Sequence, residues 1–362
     1  MTMKTMDSGF YRLIDANADR AAEALRVVGD IARFVLDDSG QSQTWRAMRG
    51  ELWNIMASTP GLQQRAVESR DSEGDVGRAF KAGRHADLLQ LTRANIHRAE
   101  ESFRVLEEAF RSVDIAAVPR FARLRYQCYE LEPAMLSRLE EWSHARKLDF
   151  HLYVVLGREF SRGRDFLEVT EKAIAGGAGA IQLRDKDLSK RELLDWAYRL
   201  RELTREHGVT FIMNDHLDIA LAVGADGVHL GQDDFPIPEA RRVAGPHFII
   251  GASAHSVEQA RRAVEEGASY INIGPIFPTG TKKGAVAPVG PGLISEVAQA
   301  VSHPFTVMGG IKLNNVDEVL RRGARRIAVV TAVVAADDIT AAARAFVGQI
   351  QSYTEGTGPS HP

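Results

Sequence analysis

The sequence has one cysteine, almost no net charge and no long apolar run. Because Cys128 has no second thiol to pair with, an internal disulfide and a zinc site built on two thiols are both excluded. A formal net charge of −3 gives no reason to expect nucleic acid or an anionic membrane as a partner. No window is apolar enough to span a bilayer, and the first ten residues lack the apolar core of a signal peptide. We therefore expect a cytoplasmic protein in which Cys128 is an inert core thiol.

Two nucleotide-binding motifs are also missing. The chain carries no GxxxxGK[ST], which excludes a P-loop kinase, and no GxGxxG follows the first predicted strand. Differences in hydrophobic periodicity and composition along the sequence divide the chain into four segments. We predict an all-helical domain over 1–142, a polar linker over 143–149, an alternating strand and helix domain over 150–350, and a disordered tail over 351–362.

The helical domain contains an internal duplication. Residues 16–33 match residues 94–111 without a gap, which predicts a repeated helix and not a solenoid. Among the polar residues that recur at matching positions are two pairs, Asn17 with Arg20 and Asn95 with Arg98. On a helix each pair shares a stripe with small residues, so both pairs enter a close helix interface. These polar side chains either form hydrogen bonds with one another there or form a pocket in which two arginines bind an anion.

A polar loop over 65–80 separates the two repeats. It carries Arg70, Asp71 and Asp75 together with two glycines whose backbone N–H groups are able to face a phosphate. A plain solvent-exposed loop is the alternative interpretation of the same composition.

Eight short β-rich runs organise the second half of the chain. They lie at residues 150–156, 180–184, 210–215, 227–231, 248–254, 270–275, 305–310 and 326–332. Helical segments separate them, and several follow a Gly-Ala turn of the kind that ends a helix and starts a buried parallel strand. This alternation predicts a (β/α)8 TIM barrel, with a doubly wound open sheet as the alternative.

Charged side chains follow the predicted strands at their carboxyl ends. Arg184, Lys186 and Lys282 are basic, and Asp215 and Asp234 are acidic. Carboxylate and phosphate oxygens are the ligands that Mg²⁺ prefers, and several cations around one metal indicate a diphosphate. The carboxyl ends of barrel strands meet on one face. The sequence therefore predicts a magnesium-bound diphosphate on that face.

A second anion site is predicted after the last two strands. The glycine pair 309–310 and the backbone after strand eight match the phosphate-binding position common in barrels. We interpret Asp233 as a solvated neighbour of the metal ligand Asp234. His255 is expected to have an orienting or structural role, outside the catalytic set.

Six motifs, in this order, resemble the thiamine phosphate synthase family over residues 150–340. They are QLRDK, ND, DGVHLGQDD, GASAH, GPIFPTGTK and GGI. Members of that family join hydroxymethylpyrimidine diphosphate to a thiazole phosphate and release pyrophosphate, giving thiamine phosphate. The sequence departs from the family pattern at the first strand, where YVVLG lacks the usual acidic residue, and at Thr331, where serine is usual.

The resemblance implies roles for individual residues. Those implied to bind the pyrimidine diphosphate are Gln182, Arg184, Lys186, Asn214, Ser253 and Lys282; Asp215 and Asp234 would bind Mg²⁺; Thr279, Thr281, Gly310, Val330 and Thr331 would hold the thiazole phosphate. The implied mechanism is dissociative. Arg184 and Lys282 would act as catalytic groups by stabilising the departing negative charge, and the protein need not supply a nucleophile.

The helical domain resembles the amino-terminal domain fused to some thiamine phosphate synthases, on motifs at residues 15–27, 70–77 and 93–108. That family is associated with hydroxymethylpyrimidine phosphate kinase activity, which implies ATP as a further substrate here. In a second interpretation the domain is a structural module that forms homo-oligomers. In a third, the barrel is a phosphate-binding regulator without catalysis.

Overall fold

The protein forms two compact units, Met1–Ser143 and His144–Pro362. The structure, a computed structural model, describes residues 7–70, 83, 85, 87–280 and 287–354. Across these residues no helix is long and apolar enough to cross a membrane.

The described part of the first unit is built from helices: α1 (Ser8–Phe34), α2 (Ser39–Ser58), α3 (Leu62–Glu68), α4 (Leu88–Val113) and most of α5 (Val118–Lys147), whose last four residues belong to the second unit. The two repeated segments lie in α1 and α4, and these helices pack against each other. Ala21 and Ala24 on α1 and Ala99 on α4 are fully buried. Such small side chains permit close approach, so most of the stability of these helices comes from the packed face. The prediction of a helical region is confirmed, and each copy of the repeat lies within one helix.

The structure differs from the sequence-based boundaries at two places. Helix α5 continues to Lys147, so most of the segment predicted as a linker, 143–149, is helical. Its residues are polar because they lie on an exposed helical end, which composition alone does not distinguish from a linker. The last helix runs to Thr354, so the predicted tail begins with helical residues, and 355–362 lie outside the described residues.

The second unit is a closed barrel of eight parallel strands in sequential order, with β1 paired to both β2 and β8. The strands are β1 (Leu152–Leu156), β2 (Ala180–Leu183), β3 (Thr210–Asn214), β4 (Gly227–Leu230), β5 (Ile249–Ala254), β6 (Tyr270–Ile273), β7 (Phe305–Val307) and β8 (Ile327–Val329). The helices are α6 (Phe166–Ala175), α7 (Lys190–Glu206), α8 (Leu217–Val223), α9 (Ile237–Ala244), α10 (Val257–Glu265), α11 (Gly292–Ala300), α12 (Val316–Arg321), α13 (Thr331–Val334) and α14 (Ile339–Thr354). The TIM-barrel prediction is confirmed.

Side chains inside the barrel are arranged in layers. One layer packs Tyr153, Ile212 and Tyr270 together with smaller residues. Register pairs Tyr153 with Ala180 and Val155 with Gln182, and side chains two residues apart share a face. Gln182 therefore lies one layer above the tyrosines, toward the carboxyl ends of the strands. The barrel floor is mostly apolar, and polar groups begin above it.

A buried carboxylate joins the amino-terminal ends of β3 and β4. Asp226 accepts a hydrogen bond from the Phe211 backbone N–H at 2.9 Å and forms ion pairs of 2.8 Å with Arg201 and Lys147. Its side chain is only 4% exposed, so these partners are what make its burial tolerable. The amino-terminal face of a barrel serves stability, and Asp226 is part of that face.

Candidate active site

A cavity of about 470 Å³ opens at the carboxyl ends of the barrel strands. It is lined by every described residue that the sequence analysis placed in the barrel site: Gln182, Arg184, Lys186, Asn214, Asp215, Asp234, Ser253, Thr279, Gly310, Val330 and Thr331. Thr281 and Lys282 lie outside the described residues. The structure thus brings together side chains that are far apart in the sequence.

Asp215 is held at the end of β3 in an unusual backbone conformation. Its φ is 61°, in the left-handed region that residues other than glycine seldom adopt, at a cost of about 1–3 kcal/mol. Its N–H donates to the carbonyl of His229 at 2.9 Å, and the next N–H donates to the carbonyl of Asn214 at 2.7 Å. These bonds hold the turn that ends the strand and keep Asp215 in the cavity wall. Left-handed geometry at a candidate site residue indicates a functional constraint.

Asp234 follows β4 and lies beside Asp215. Its Oδ2 accepts a hydrogen bond from the Gly231 N–H at 2.6 Å, which fixes the carboxylate over the end of the strand. Asp234 is half-buried and lines the cavity, whereas Asp233 is exposed and is not among the lining residues. Of the two adjacent acids, Asp234 is the one that lines the cavity, and its role as a metal ligand stays a prediction.

The two carboxyl groups interact directly. Burial raises the pKa of Asp215 to about 6, and so do a hydrogen bond with Asp234 and the negative charge of that residue; Lys186 and Arg184 oppose the increase. Two carboxylates this close repel each other unless a proton or a cation lies between them. Both offer oxygen ligands, so the pair fits a hard divalent ion such as Mg²⁺.

Further ligands for such a cation would have to come from elsewhere. Across the described ranges there is no cluster of three or more His, Cys, Asp or Glu side chains arranged to hold a metal. Two protein carboxylates, completed by phosphate oxygens and water, are the usual surroundings of Mg²⁺ in sites that act on phosphorylated substrates.

The basic side chains come from a loop that Asp185 organises. Its Oδ2 accepts from the Arg158 N–H at 2.9 Å, and its Oδ1 accepts from two backbone N–H groups of its own loop at 3.0 and 3.1 Å. The Asp185 side chain is itself buried. Arg184 and Lys186, the residues on either side of the fixed Asp185, line the cavity. The loop thus places two positive charges near the carboxylate pair.

Glycines 309 and 310 form the opposite part of the cavity wall. Their φ angles are 101° and 65°. A Cβ on Gly310 would lie 2.7 Å from the carbonyl oxygen of Pro278, and one on Gly309 would lie 2.5 Å from Pro275. Asn315 donates to the Gly310 carbonyl at 3.0 Å and stabilises the turn. Only glycine fits here, and consecutive residues of this kind expose backbone N–H groups that bind anions.

Three buried residues that the sequence analysis did not select connect the two sides of the cavity floor. Gln182 donates to the Tyr153 hydroxyl, which lies 3.0 Å from the hydroxyl of Tyr270. The His229 ring joins Tyr270 to Ser253, with a distance of 3.0 Å on each side. Aromatic residues inside apolar strands are ordinary core residues by pattern, so the sequence offered no signal for this connection.

His255 also lines the cavity. Its Nδ1 lies 2.5 Å from the Gly274 carbonyl oxygen, and its backbone N–H donates to Gln259 at 2.7 Å. These contacts tie β5 to the end of β6. An orienting or structural role for His255 stays a prediction.

The asparagines at matching positions of the two repeats form hydrogen bonds within their own helices. Asn17 and Asn95 are buried, and each donates to the carbonyl four residues earlier at 2.8 Å. Asn95 also accepts from Arg98 at 3.1 Å. Identical bonds at matching positions show that the repeat preserves side-chain geometry as well as sequence. Arg20 and Arg98 are exposed, so neither cation is buried in the helix interface that both were expected to enter.

Arg70 is held by two carboxylates of α1. Its guanidinium donates to Asp15 at 2.6 and 2.9 Å and to Asp19 at 3.1 Å. Asp71 and Asp75 lie outside the described residues. The structure therefore places the start of the loop between the repeats beside α1.

Comparison with known proteins identifies the family. The family model described as thiamine monophosphate synthase matches residues 152–333, about half of the chain. The chain belongs to that family.

Thiamine-phosphate synthases from several bacteria are similar over long stretches. The one from Gloeobacter violaceus is 37% identical over 332 residues, which is 90% of this chain and 93% of the relative. The one from Shouchella clausii is 50% identical over 206 residues, covering 57% of this chain and 99% of the relative. A solved thiamine phosphate pyrophosphorylase from Pyrococcus furiosus shares 37% identity with a TM-score of 0.53, covering 58% of this chain and 98% of its own.

The helical unit matches a second family model. The ThiD2 family model covers residues 12–134, which include both copies of the repeat. The protein is thus a thiamine phosphate synthase family member, a transferase of thiamine biosynthesis, with a ThiD2-type region before the barrel.

Proposed function

We propose that the barrel cavity joins hydroxymethylpyrimidine diphosphate to thiazole phosphate, and that Asp215 and Asp234 hold the magnesium ion that assists the reaction. The observation that carries this proposal is that Asp215 and Asp234 interact directly and line one cavity together with Arg184 and Lys186. That arrangement suits a diphosphate, whose charge exceeds what one cation neutralises.

The reaction breaks the bond between the pyrimidine methylene carbon and the diphosphate oxygen. Pyrophosphate leaves with the bonding electrons, the ring's amino group stabilises the resulting cation, and the thiazole nitrogen then attacks the methylene carbon. A bound magnesium ion would neutralise part of the negative charge on the departing pyrophosphate. Arg184 and Lys186 bind the same oxygens from the loop after β2, and we assign Lys282 to them by its motif. Preorganised charges of this kind contribute most where charge develops.

The remaining residues position the two substrates. Gln182, Asn214 and Ser253 are assigned to the pyrimidine half. The thiazole phosphate is assigned to the glycine turn and to the residues around it: Thr279, Thr281, Gly310, Val330 and Thr331. Holding the thiazole nitrogen against the methylene carbon converts a bimolecular step into an effectively unimolecular one. No side chain is required to form a covalent intermediate.

Thiamine phosphate formation tests this proposal. The full-length protein is incubated with both substrates in Mg²⁺, and the product is measured by chromatography. We expect product only when both substrates are present, and loss of product when EDTA removes the metal, with recovery when Mg²⁺ is restored. Unchanged product formation in EDTA would contradict the assigned role of Asp215 and Asp234.

We further propose that the helical unit phosphorylates hydroxymethylpyrimidine phosphate with ATP and so makes the diphosphate that the barrel consumes. The ThiD2 match over residues 12–134 supports this, as do the exposed Arg20 and Arg98 at equivalent positions of the repeat. Two guanidinium groups are suited to phosphate oxygens. A cytoplasmic location is part of the proposal, since ATP is the expected donor.

The kinase proposal is tested in a background where the diphosphate accumulates. In the Asp215→Asn protein, we expect ATP and pyrimidine monophosphate to give diphosphate, detected by mass spectrometry. Adding Arg20→Ala and Arg98→Ala should reduce its formation by about tenfold or more, since each removes a charge-assisted contact. No diphosphate from the Asp215→Asn protein would favour a structural role, and light scattering would then show whether the unit forms homo-oligomers.

A further inference from the structure

We propose that Arg164, which is not among the residues that line the cavity, positions the backbone that holds the phosphate of the thiazole substrate. It does so by binding the far end of α13, the short helix whose first residues line the cavity. This inference rests on the proposed function of the cavity. Arg164 is a positioning residue, because it acts on the substrate only through α13.

Helix α13 is a single turn with little stability of its own. It runs from Thr331 to Val334, and a helix this short is not stable without tertiary contacts. Val330, Thr331 and Ala332 line the cavity, whereas Val333 and Val334 are fully buried. The position of this part of the cavity wall therefore depends on what holds the other end of the turn.

Arg164 holds that other end through the backbone. Its Nη1 donates to the Ala336 carbonyl oxygen at 2.8 Å, and its Nη2 donates to the Val334 carbonyl oxygen at 2.6 Å. The last carbonyl groups of a helix have no partner within the helix, and a cationic side chain that binds them stabilises the helix end. The planar guanidinium contacts both oxygens in a fixed geometry that a single ammonium group does not reproduce.

The loop after β1 orients the guanidinium. The Arg164 backbone N–H donates to the Ser161 carbonyl at 3.0 Å, and its Nε donates to the same oxygen at 3.1 Å. Ser161 is fully buried, and its hydroxyl donates to the Gly157 carbonyl at 2.9 Å. Arg162, inside this turn, has a φ of 54°, in the left-handed region that few residues other than glycine adopt. The Arg164 side chain therefore extends toward α13 from a turn that is held by several hydrogen bonds.

Arg162 contacts the same helix end more weakly. It donates to the Ala335 carbonyl at 3.1 Å and to Asp337 at 2.6 Å. The side chains of Arg162 and Asp337 are 58% and 94% exposed, and ion pairs this exposed contribute little. Arg164 is half-buried. Of the two arginines, we therefore expect Arg164 to hold α13.

The diphosphate side of the cavity is held independently of Arg164. The loop after β1 also reaches that side, where the Arg158 N–H donates to Asp185 at 2.9 Å. Asp185 is fixed as well by two backbone N–H groups of its own loop, at 3.0 and 3.1 Å. Loss of the Arg164 guanidinium leaves all of these contacts in place. Its effect should therefore fall on the thiazole phosphate and not on the pyrimidine diphosphate.

Arg164→Ala tests this inference with two forms of the second substrate, thiazole phosphate and its unphosphorylated alcohol. The matched control is Arg242→Ala, which removes an exposed arginine of α9 that pairs with Glu239 one turn earlier. For each protein, kcat/KM is measured with both forms at saturating pyrimidine diphosphate. Because the alcohol makes no phosphate contact, the ratio of the two values isolates the contribution of the phosphate site. Loss of folded protein lowers both values equally and leaves the ratio unchanged.

We expect the ratio of phosphate to alcohol to fall by about ten- to a hundredfold in Arg164→Ala, since a small displacement of binding groups has effects of this size. The KM for pyrimidine diphosphate in Arg164→Ala, and the ratio in Arg242→Ala, should stay within about twofold of the wild type. An unchanged ratio in Arg164→Ala, or an equal fall in Arg242→Ala, would overturn the inference. If Arg164→Ala does not fold, Arg164→Lys keeps the charge without the planar fork and should lower the ratio by about threefold or more.

Inhibition by inorganic phosphate provides a measurement that does not involve the alcohol. Its inhibition constant against thiazole phosphate, at saturating pyrimidine diphosphate, should rise by about tenfold or more in Arg164→Ala, and an unchanged constant would contradict the proposed role. A wild-type protein that makes no thiamine phosphate would refute the proposed function instead. An active wild type with an unchanged ratio in Arg164→Ala refutes only this inference, so the two failures are distinguishable.

Discussion

Adjacent aspartates at the end of β4 allow a direct test of the metal site. Asp234 lines the cavity and interacts with Asp215, whereas Asp233 is exposed. Asp234→Asn preserves size but removes one of the two negative charges that would hold Mg²⁺. The loss of one preorganised charge contact typically costs about 2.7–4 kcal/mol, so we expect kcat/KM to fall by about 10²–10³-fold. Asp233→Asn removes the same charge one residue away and should stay within about threefold of the wild type.

The assay is the rate of thiamine phosphate formation as a function of Mg²⁺ concentration. Asp234→Asn should also need more Mg²⁺ to reach half its maximal rate, since one of two protein ligands has lost its charge. The Gly231 N–H keeps an acceptor, because the Asn side-chain carbonyl can take the place of Oδ2. A folded Asp234→Asn protein with normal kcat/KM, or equal losses in the two variants, would refute the reasoning.

Three further predictions concern stability, thiazole phosphate binding and the lone thiol. Asp226→Asn should destabilise the barrel by about 1.5–3 kcal/mol, because the buried side chain loses its charge-assisted contacts with Arg201 and Lys147, both of which still reach solvent. Thermal unfolding would show a lower Tm, and an unchanged Tm would contradict this. Gly310→Ala should raise the KM for thiazole phosphate at least about tenfold and leave the KM for the pyrimidine nearly unchanged, since the added methyl would lie 2.7 Å from a backbone oxygen. Both KM values are measured by varying each substrate in turn, and equal increases in the two would contradict this prediction. Burial raises the pKa of Cys128 to about 12, so at pH 8 the thiol is protonated and should react with a disulfide reagent only after denaturation; rapid reaction of the native protein would contradict its burial.

The strand pattern of the barrel can be predicted from the sequence because each strand is short, contains β-branched residues and follows the end of a helix. All eight predicted runs contain an observed strand, with differences confined to the ends. Arg184 and Lys186, which the sequence placed at the carboxyl end of the second predicted strand, both line the cavity. Periodicity predicted the fold, whereas most of the other residues assigned to the site came from the resemblance to the family.

Other features depend on contacts that a linear pattern does not contain. The left-handed conformation of Asp215 is accompanied by one hydrogen bond to the neighbouring strand and one within its own turn. The link from Tyr153 to Tyr270 joins side chains 117 positions apart, which only closure of the barrel brings together. The end of α5 was misplaced because an exposed helical turn and a linker have the same polar composition.

The ratio of pyrophosphate released to thiamine phosphate formed tests the central claim most directly. Transfer of the pyrimidine methylene to the thiazole nitrogen produces one molecule of each, and no pyrophosphate should appear when thiazole phosphate is omitted. The account predicts a ratio of one throughout the time course of the full-length protein in Mg²⁺. Pyrophosphate release that continues without thiazole phosphate, or thiamine phosphate that forms without it, would contradict that account.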